Sequence, residues 1–196
     1  MIISASRRTD IPALYPEWFM NRLVGGEVLV PNPYNRKKVN RIELSPETVD
    51  CFVFWTKNPE PMLPYLKMID LLGFPYYFEM TITDYGKDLE PNLPTMEESM
   101  ATFLLLSERI GRDRVDWRFD PIILNDVYTL QYHTEKFEMM CEWLHKYTEG
   151  VLSALWINTE AVHLWNRNRK KSFGWQRNLV LLRKHIIFLS IPVRKQ

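Results

Sequence analysis

The 196-residue sequence is 46% hydrophobic, enough to bury one sizeable core, and one domain is the first expectation. Its first apolar stretch is broken by Arg7 and Arg8, and no later run approaches the roughly 20 residues a bilayer span needs. Neither a signal peptide nor a membrane helix is expected, and a cytoplasmic protein with no membrane partner is the expectation.

In chain order, "IISAS" reads as a short buried strand, and "IPALYPEWFMNRLVGG" as a helix with Pro12 in its first turn and Gly25-Gly26 closing it. "EVLVPNPYNRKKVNRIEL" gives two extended pieces around a Pro/Asn turn, a hairpin. Ser45-Pro46 caps a helical turn before the strand "CFVFWT". A helix "PEPMLPYLKMIDLLG" ends at Gly73, followed by the strand "YYFEMTIT" and a loop from Asp84 to Pro94. Thr95 and Glu98 have capping-box spacing for "MEESMATFLLLSERIG", a helix that stops at Gly111. "RVDWRF" is the next strand and "TLQYHTEKFEMMCEWLHKYT" a long amphipathic helix.

Strand and helix alternating at this spacing predict βα units and parallel strands, because parallel neighbours need a crossover connection. About four units appear by Thr148. The predicted fold class is α/β, a partial (βα) barrel over residues 1–150 followed by a basic tail over 151–196. Four units are half of an eight-unit barrel and too few to close one.

Side chains alternate across a strand, so each strand separates into two faces. Tyr76, Phe78, Met80 and Ile82 oppose Tyr77, Glu79, Thr81 and Thr83; Val115, Trp117 and Phe119 oppose Asp116, Arg118 and Asp120; Ile3 and Ala5 oppose Ser4, Ser6 and Arg8. The apolar face suits covering helices. The polar face then looks into the concave side, where unpaired burial of such groups costs several kcal/mol each. Two arrangements satisfy that cost: a network in which these groups pair with one another, or a ligand.

The strand ends favour the ligand, because α/β sheets place sites at the carboxyl ends of strands. Those ends read "SRRTD", "WTKNP", "TITDY" and "RFDP". The predicted ligand-binding set is Arg7, Arg8, Asp10, Thr56, Lys57, Asn58, Thr81 and Arg118, with the cations suited to a small anionic group such as a carboxylate or phosphate. Asp10 also fits an N-cap and Asn58 a turn before Pro59.

Glu79, Asp116 and Asp120 are the candidates for general acid/base work, since His133 and His145 fall inside a helix, away from the strand ends. There is no Gly-rich phosphate loop, Ser/His/Asp order or HExxH, so no reaction is named. Cys51 and Cys141 lack CxxC spacing, and Cys141 with His145 makes only two ligands, so no metal site is predicted.

"ISASRRTDIPA", "WFMNRL", "NPYN", "CFVFWTKNP", "PYYFEMTIT", "LEP", "RIGRDRVDWRFDPI" and "YHTEKFE" together resemble the bacterial DUF1848 family over about residues 1–150. The resemblance implies a longer protein with a C-terminal cysteine group like that of radical S-adenosylmethionine enzymes. It also implies a radical-enzyme-like barrel whose strand ends contact S-adenosylmethionine or substrate, with a 4Fe-4S cluster. Those cluster cysteines are absent from this sequence, which implies a chain inactive in iron–sulfur chemistry and no cofactor of its own.

Charge changes where that resemblance ends: residues 1–150 carry 16 Lys+Arg against 23 Asp+Glu, and residues 151–196 carry 9 against one. A one-base slip at the Gly150 codon would explain both changes, since "GVLSALWINTEA" shifted by one base can be decoded as "CVISLMDKYRS". On this reading the fourth strand is left with an open edge through which copies self-associate. The alternatives are a genuine basic tail, Asn166 to Lys171 with Trp165 and Trp175, that binds nucleic acid, and a metal-free enzyme acting on an anionic metabolite.

Overall fold

The computed structural model describes residues 1–32, 34, 35, 37–156, 178–182 and 186–192, with the backbone alone from residue 153 onward. It comprises two compact units, Met1–Met80 and Thr81–Gln196.

The first unit contains β1 (Ile2–Ser4), α1 (Ile11–Leu14), α2 (Pro16–Gly25), β2 (Glu27–Pro31), β3 (Val39–Glu43), β4 (Cys51–Thr56), a 3-10 segment (Glu60–Tyr65), α3 (Leu66–Leu71) and β5 (Tyr76–Thr81), whose last residue opens the second unit. β4 runs parallel to both β1 and β5, with Ile3 opposite Phe52 and Phe54 opposite Phe78. β2 and β3 form the expected antiparallel hairpin.

The first predicted helix is two helices. Pro16 has no N–H and pushes the residue before it out of the helical region, and Tyr15 sits at φ −138°, ψ 37°. α2 ends where expected, at Gly26 with φ 70°. In the next predicted helix, Pro61 and Pro64 leave the first turns as a 3-10 segment before α3.

Alternation divides β4 and β5 as the sequence implies. Phe52, Phe54, Tyr76, Phe78 and Met80 are almost fully buried, and Phe19 of α2 packs edge-on against Phe52 and Phe54 at 5.1 and 5.2 Å between centroids. Burying each of these side chains contributes about 1.5–3 kcal/mol, so this aromatic layer anchors α2 to the strands. Trp55, on the opposite face of β4, is 41% exposed.

The second unit contains α4 (Met96–Ile110), a 3-10 turn (Arg112–Arg114), β6 (Val115–Arg118), α5 (Leu130–Leu144), β7 (Gly150–Trp156), β8 (Asn178–Leu182) and β9 (Ile186–Pro192). The Thr95–Glu98 capping box forms in both directions, and α4 stops at Gly111. Trp117 is buried, stacks on Phe137 of α5 at 5.2 Å and donates its indole N–H to the Ile82 carbonyl at 3.2 Å.

β7 pairs parallel with β6, Trp117 opposite Val151. The open edge expected after the fourth strand is thus occupied, because the apolar run "GVLSALW" is itself a good strand sequence. β9 lies antiparallel beside β7, and β8 antiparallel beside β9. The predicted basic stretch Asn166 to Lys171, with Trp165 and Trp175, lies outside the described residues. Parallel strands with helices in the connections make this an α/β fold, and no described helix is long and apolar enough to cross a membrane.

Candidate functional site

At the carboxyl ends of β1 and β4, four of the predicted residues meet. Asp10 caps α1 by accepting the Ala13 N–H at Oδ1 (3.1 Å), and its Oδ2 accepts the Thr56 hydroxyl at 3.0 Å and the Lys57 N–H at 2.9 Å. Thr56 Oγ1 in turn accepts the Asn58 N–H at 3.0 Å, and Asn58 Oδ1 accepts the Glu60 N–H at 3.1 Å. One carboxylate thus supplies the acceptor capacity for a helix start and a strand end together.

The two arginines point elsewhere. Arg8 is exposed and donates to the Pro31 carbonyl at 2.9 Å, tying the hairpin to the loop after β1, and Arg7 is also exposed. Beside them, Ser6 Oγ is buried with no hydrogen-bond partner among the described residues. Glu79 is 9% exposed, lies opposite Trp55 on the face of the strands that α2 does not cover, and accepts the Tyr77 hydroxyl at 2.9 Å.

In the second unit, Thr81 is half-buried at the end of β5. Arg118 and Asp120 form a two-pronged pair just past β6, Nε to Oδ1 at 2.9 Å and Nη2 to Oδ2 at 2.6 Å, with both side chains about five-sixths buried. Asp116 is half-buried near Gly150, where an added Cβ would lie 3.5 Å from its Oδ1.

A second polar group in this unit went unpredicted. Tyr85 donates to the Pro121 carbonyl at 2.6 Å and accepts the Ile123 N–H at 2.8 Å. Tyr128 donates to Asp88 at 2.7 Å and accepts the Gly86 N–H at 2.9 Å. Tyr132 donates to Asp84, whose carboxylate also pairs with Lys136 at 2.6 Å. Burial pushes the Tyr85 hydroxyl up to about 12 and raises Tyr132, while the bond to Asp88 raises Tyr128. All three phenols therefore stay protonated at neutral pH and act as donors that hold the 84–90 loop.

His133 belongs to this group, which corrects its placement away from the strand ends. It is buried, its Nε2 lies 2.8 Å from the Ile123 carbonyl, and its ring meets Phe119, the residue just after β6, edge-on at 6.0 Å. Burial lowers its pKa, so it is neutral with Nε2 protonated and donating. The sequence places His133 on a helix but carries no signal that the 121–125 loop returns over it.

The thiols sit apart from the strand ends. Cys51 opens β4, and the Cys141 thiol on α5 is pushed up to about 12 by burial. His145 ends α5, exposed, with Nδ1 2.8 Å from the Glu142 carbonyl. Among the described residues no three His, Cys, Asp or Glu side chains group to hold a metal.

These features define a parallel α/β protein that gathers charged and hydroxyl side chains at the carboxyl ends of its strands. The chain belongs to the DUF1848 family, a domain of unknown function, whose model matches residues 2–178. The match runs past Gly150, so the charge reversal falls inside the family region. Neither curated proteins nor solved structures match the chain.

Proposed function

We propose that the chain is the ligand-binding portion of a radical-enzyme-like (βα) fold, and that its strand ends take a small ligand bearing an anionic group, S-adenosylmethionine being the one the motif resemblance implies. The supporting observation is Glu79: a carboxylate 9% exposed, at the carboxyl end of β5, on the face that α2 leaves uncovered. A buried carboxylate there suits the cationic part of a ligand or a proton transfer, and Lys57 at the neighbouring strand end suits its anionic part.

The residues present do not fit an iron–sulfur cluster. A cluster takes thiolates, commonly four, whereas the sequence has two cysteines, and the Cys141 thiol is held protonated by burial. The chain's own residues bind and orient the ligand; chemistry that needs a cluster requires thiolates from outside this sequence.

Calorimetric titration of the full chain with S-adenosylmethionine, a small dicarboxylate and inorganic phosphate is the test. Saturable heat with S-adenosylmethionine, weakened about tenfold or more by Glu79→Gln at an unchanged circular-dichroism spectrum, is the expected result, while heat with either anion alone should be weakened by Lys57→Ala. Absence of saturable heat with all three at millimolar concentration overturns the proposal.

A further inference from the structure

The turn joining β2 to β3 displays an aromatic ring and a cluster of cations. Tyr34 is 98% exposed and Lys37 and Lys38 are exposed, while Arg41 on β3, 77% exposed, is already paired with Glu27. Between Glu27 and Glu43 the sequence has no acidic residue. Leu29 and Val39, 59% and 51% exposed, add an apolar strip to the same face of the hairpin.

This exposure is built in. The Asn32 side-chain oxygen accepts the N–H groups of Tyr34 at 2.9 Å and Asn35 at 3.2 Å, and Asn35 Oδ1 accepts the Lys37 N–H at 3.1 Å. Main-chain bonds from Asn32 N–H to the Lys38 carbonyl (2.8 Å) and from Lys38 N–H to the Asn35 carbonyl (2.9 Å) close the turn. At the base, Arg8 donates to the Pro31 carbonyl. Two asparagines thus hold a tyrosine out in water beside like charges. Neither the bare ring nor the adjacent lysines gain anything for the fold from that position.

We propose that the β2–β3 hairpin tip binds single-stranded nucleic acid, with Tyr34 stacking on a base and Lys37 and Lys38 neutralising backbone phosphates. The ring's π-face matches any unstacked base, and a pre-formed turn spends little ordering entropy on contact. Bases in a duplex have their faces covered by neighbours, which selects the single strand. The proposal is independent of the strand-end ligand and of the basic stretch after Gly150.

Fluorescence anisotropy of the full chain with short labelled single-stranded DNA and RNA tests it. Binding at low salt should weaken as salt rises. Tyr34→Ala should lower affinity about tenfold, while Tyr34→Phe, which keeps the ring face, retains it. Replacing Lys37 and Lys38 together by alanine should reduce the slope of log affinity against log salt by about 1.4, roughly 0.7 for each lost phosphate contact. All three positions are exposed, and circular dichroism verifies that the variants fold. Absence of salt-sensitive binding, or binding that Tyr34→Ala and the double-lysine variant both leave unchanged, overturns the proposal; the latter result locates binding elsewhere on the chain.

Discussion

The Asp10 carboxylate accepts the Thr56 hydroxyl at 3.0 Å, joining residues 46 positions apart at the carboxyl ends of β1 and β4. The same side chain caps α1 and accepts the Lys57 N–H, so Asp10→Ala leaves three donors without an acceptor. A loss of about 2–4 kcal/mol in urea unfolding is expected, combining a lost cap with lost charge-assisted bonds. Asp10→Asn keeps one carbonyl oxygen and should lose roughly half as much.

Tyr85→Phe removes a hydroxyl that both donates to Pro121 and accepts from Ile123, and should cost about 1–3 kcal/mol. In the folded chain burial raises the Tyr85 hydroxyl to about 12, above its ordinary 10. Its contribution is therefore full below pH 10 and is lost as pH rises toward 12. Ultraviolet titration should show Tyr85, Tyr128 and Tyr132 ionising above the ordinary phenol value of 10, and Tyr85→Phe should remove one late-titrating group.

His133 acts on the acid side. Burial lowers its pKa below the ordinary 6.5, so the folded chain takes up its proton less readily than the unfolded one. Stability from this group is full above pH 6.5 and falls as pH drops from there toward the lowered folded value. Melting temperatures measured across that window should decline in the native protein. They should decline less in His133→Gln, whose amide N–H can still donate to the Ile123 carbonyl without titrating.

Gly111 stops α4 at φ 97°, a conformation that side chains rarely adopt, and an added Cβ would lie 2.6 Å from Asp113 Oδ1. The Asp113 carboxylate can swing away, but the backbone strain stays. Gly111→Ala should lower stability by about 1–2 kcal/mol in thermal or urea unfolding.

How much of this was legible in the sequence follows from the range of each interaction. Thr95 and Glu98 lie three residues apart, so the capping box was readable, and alternation alone assigned Phe78 and Glu79 to opposite faces. Pro16 and Pro64 were visible too, yet the hydrophobic periodicity running across them hid the break at Tyr15 and the 3-10 start of the next helix. The bonds from Arg8 to Pro31, Tyr85 to Pro121 and Tyr128 to Asp88 span 23 to 40 residues, and no local pattern announces them. The polar strand-end rule singles out Asp10, Thr56 and Asn58, and what the structure shows of Asp10 and Asn58 is the N-cap and turn roles that the sequence also allows, with Thr56 bonded to both.

The antiparallel placement of β9 against β7 has a consequence for assembly. A (βα) repeat grows only by laying each new strand in the same direction beside the last, and here that position is taken by a strand running the other way. β9 therefore covers the backbone edge of β7 that would otherwise be open to pairing with another chain.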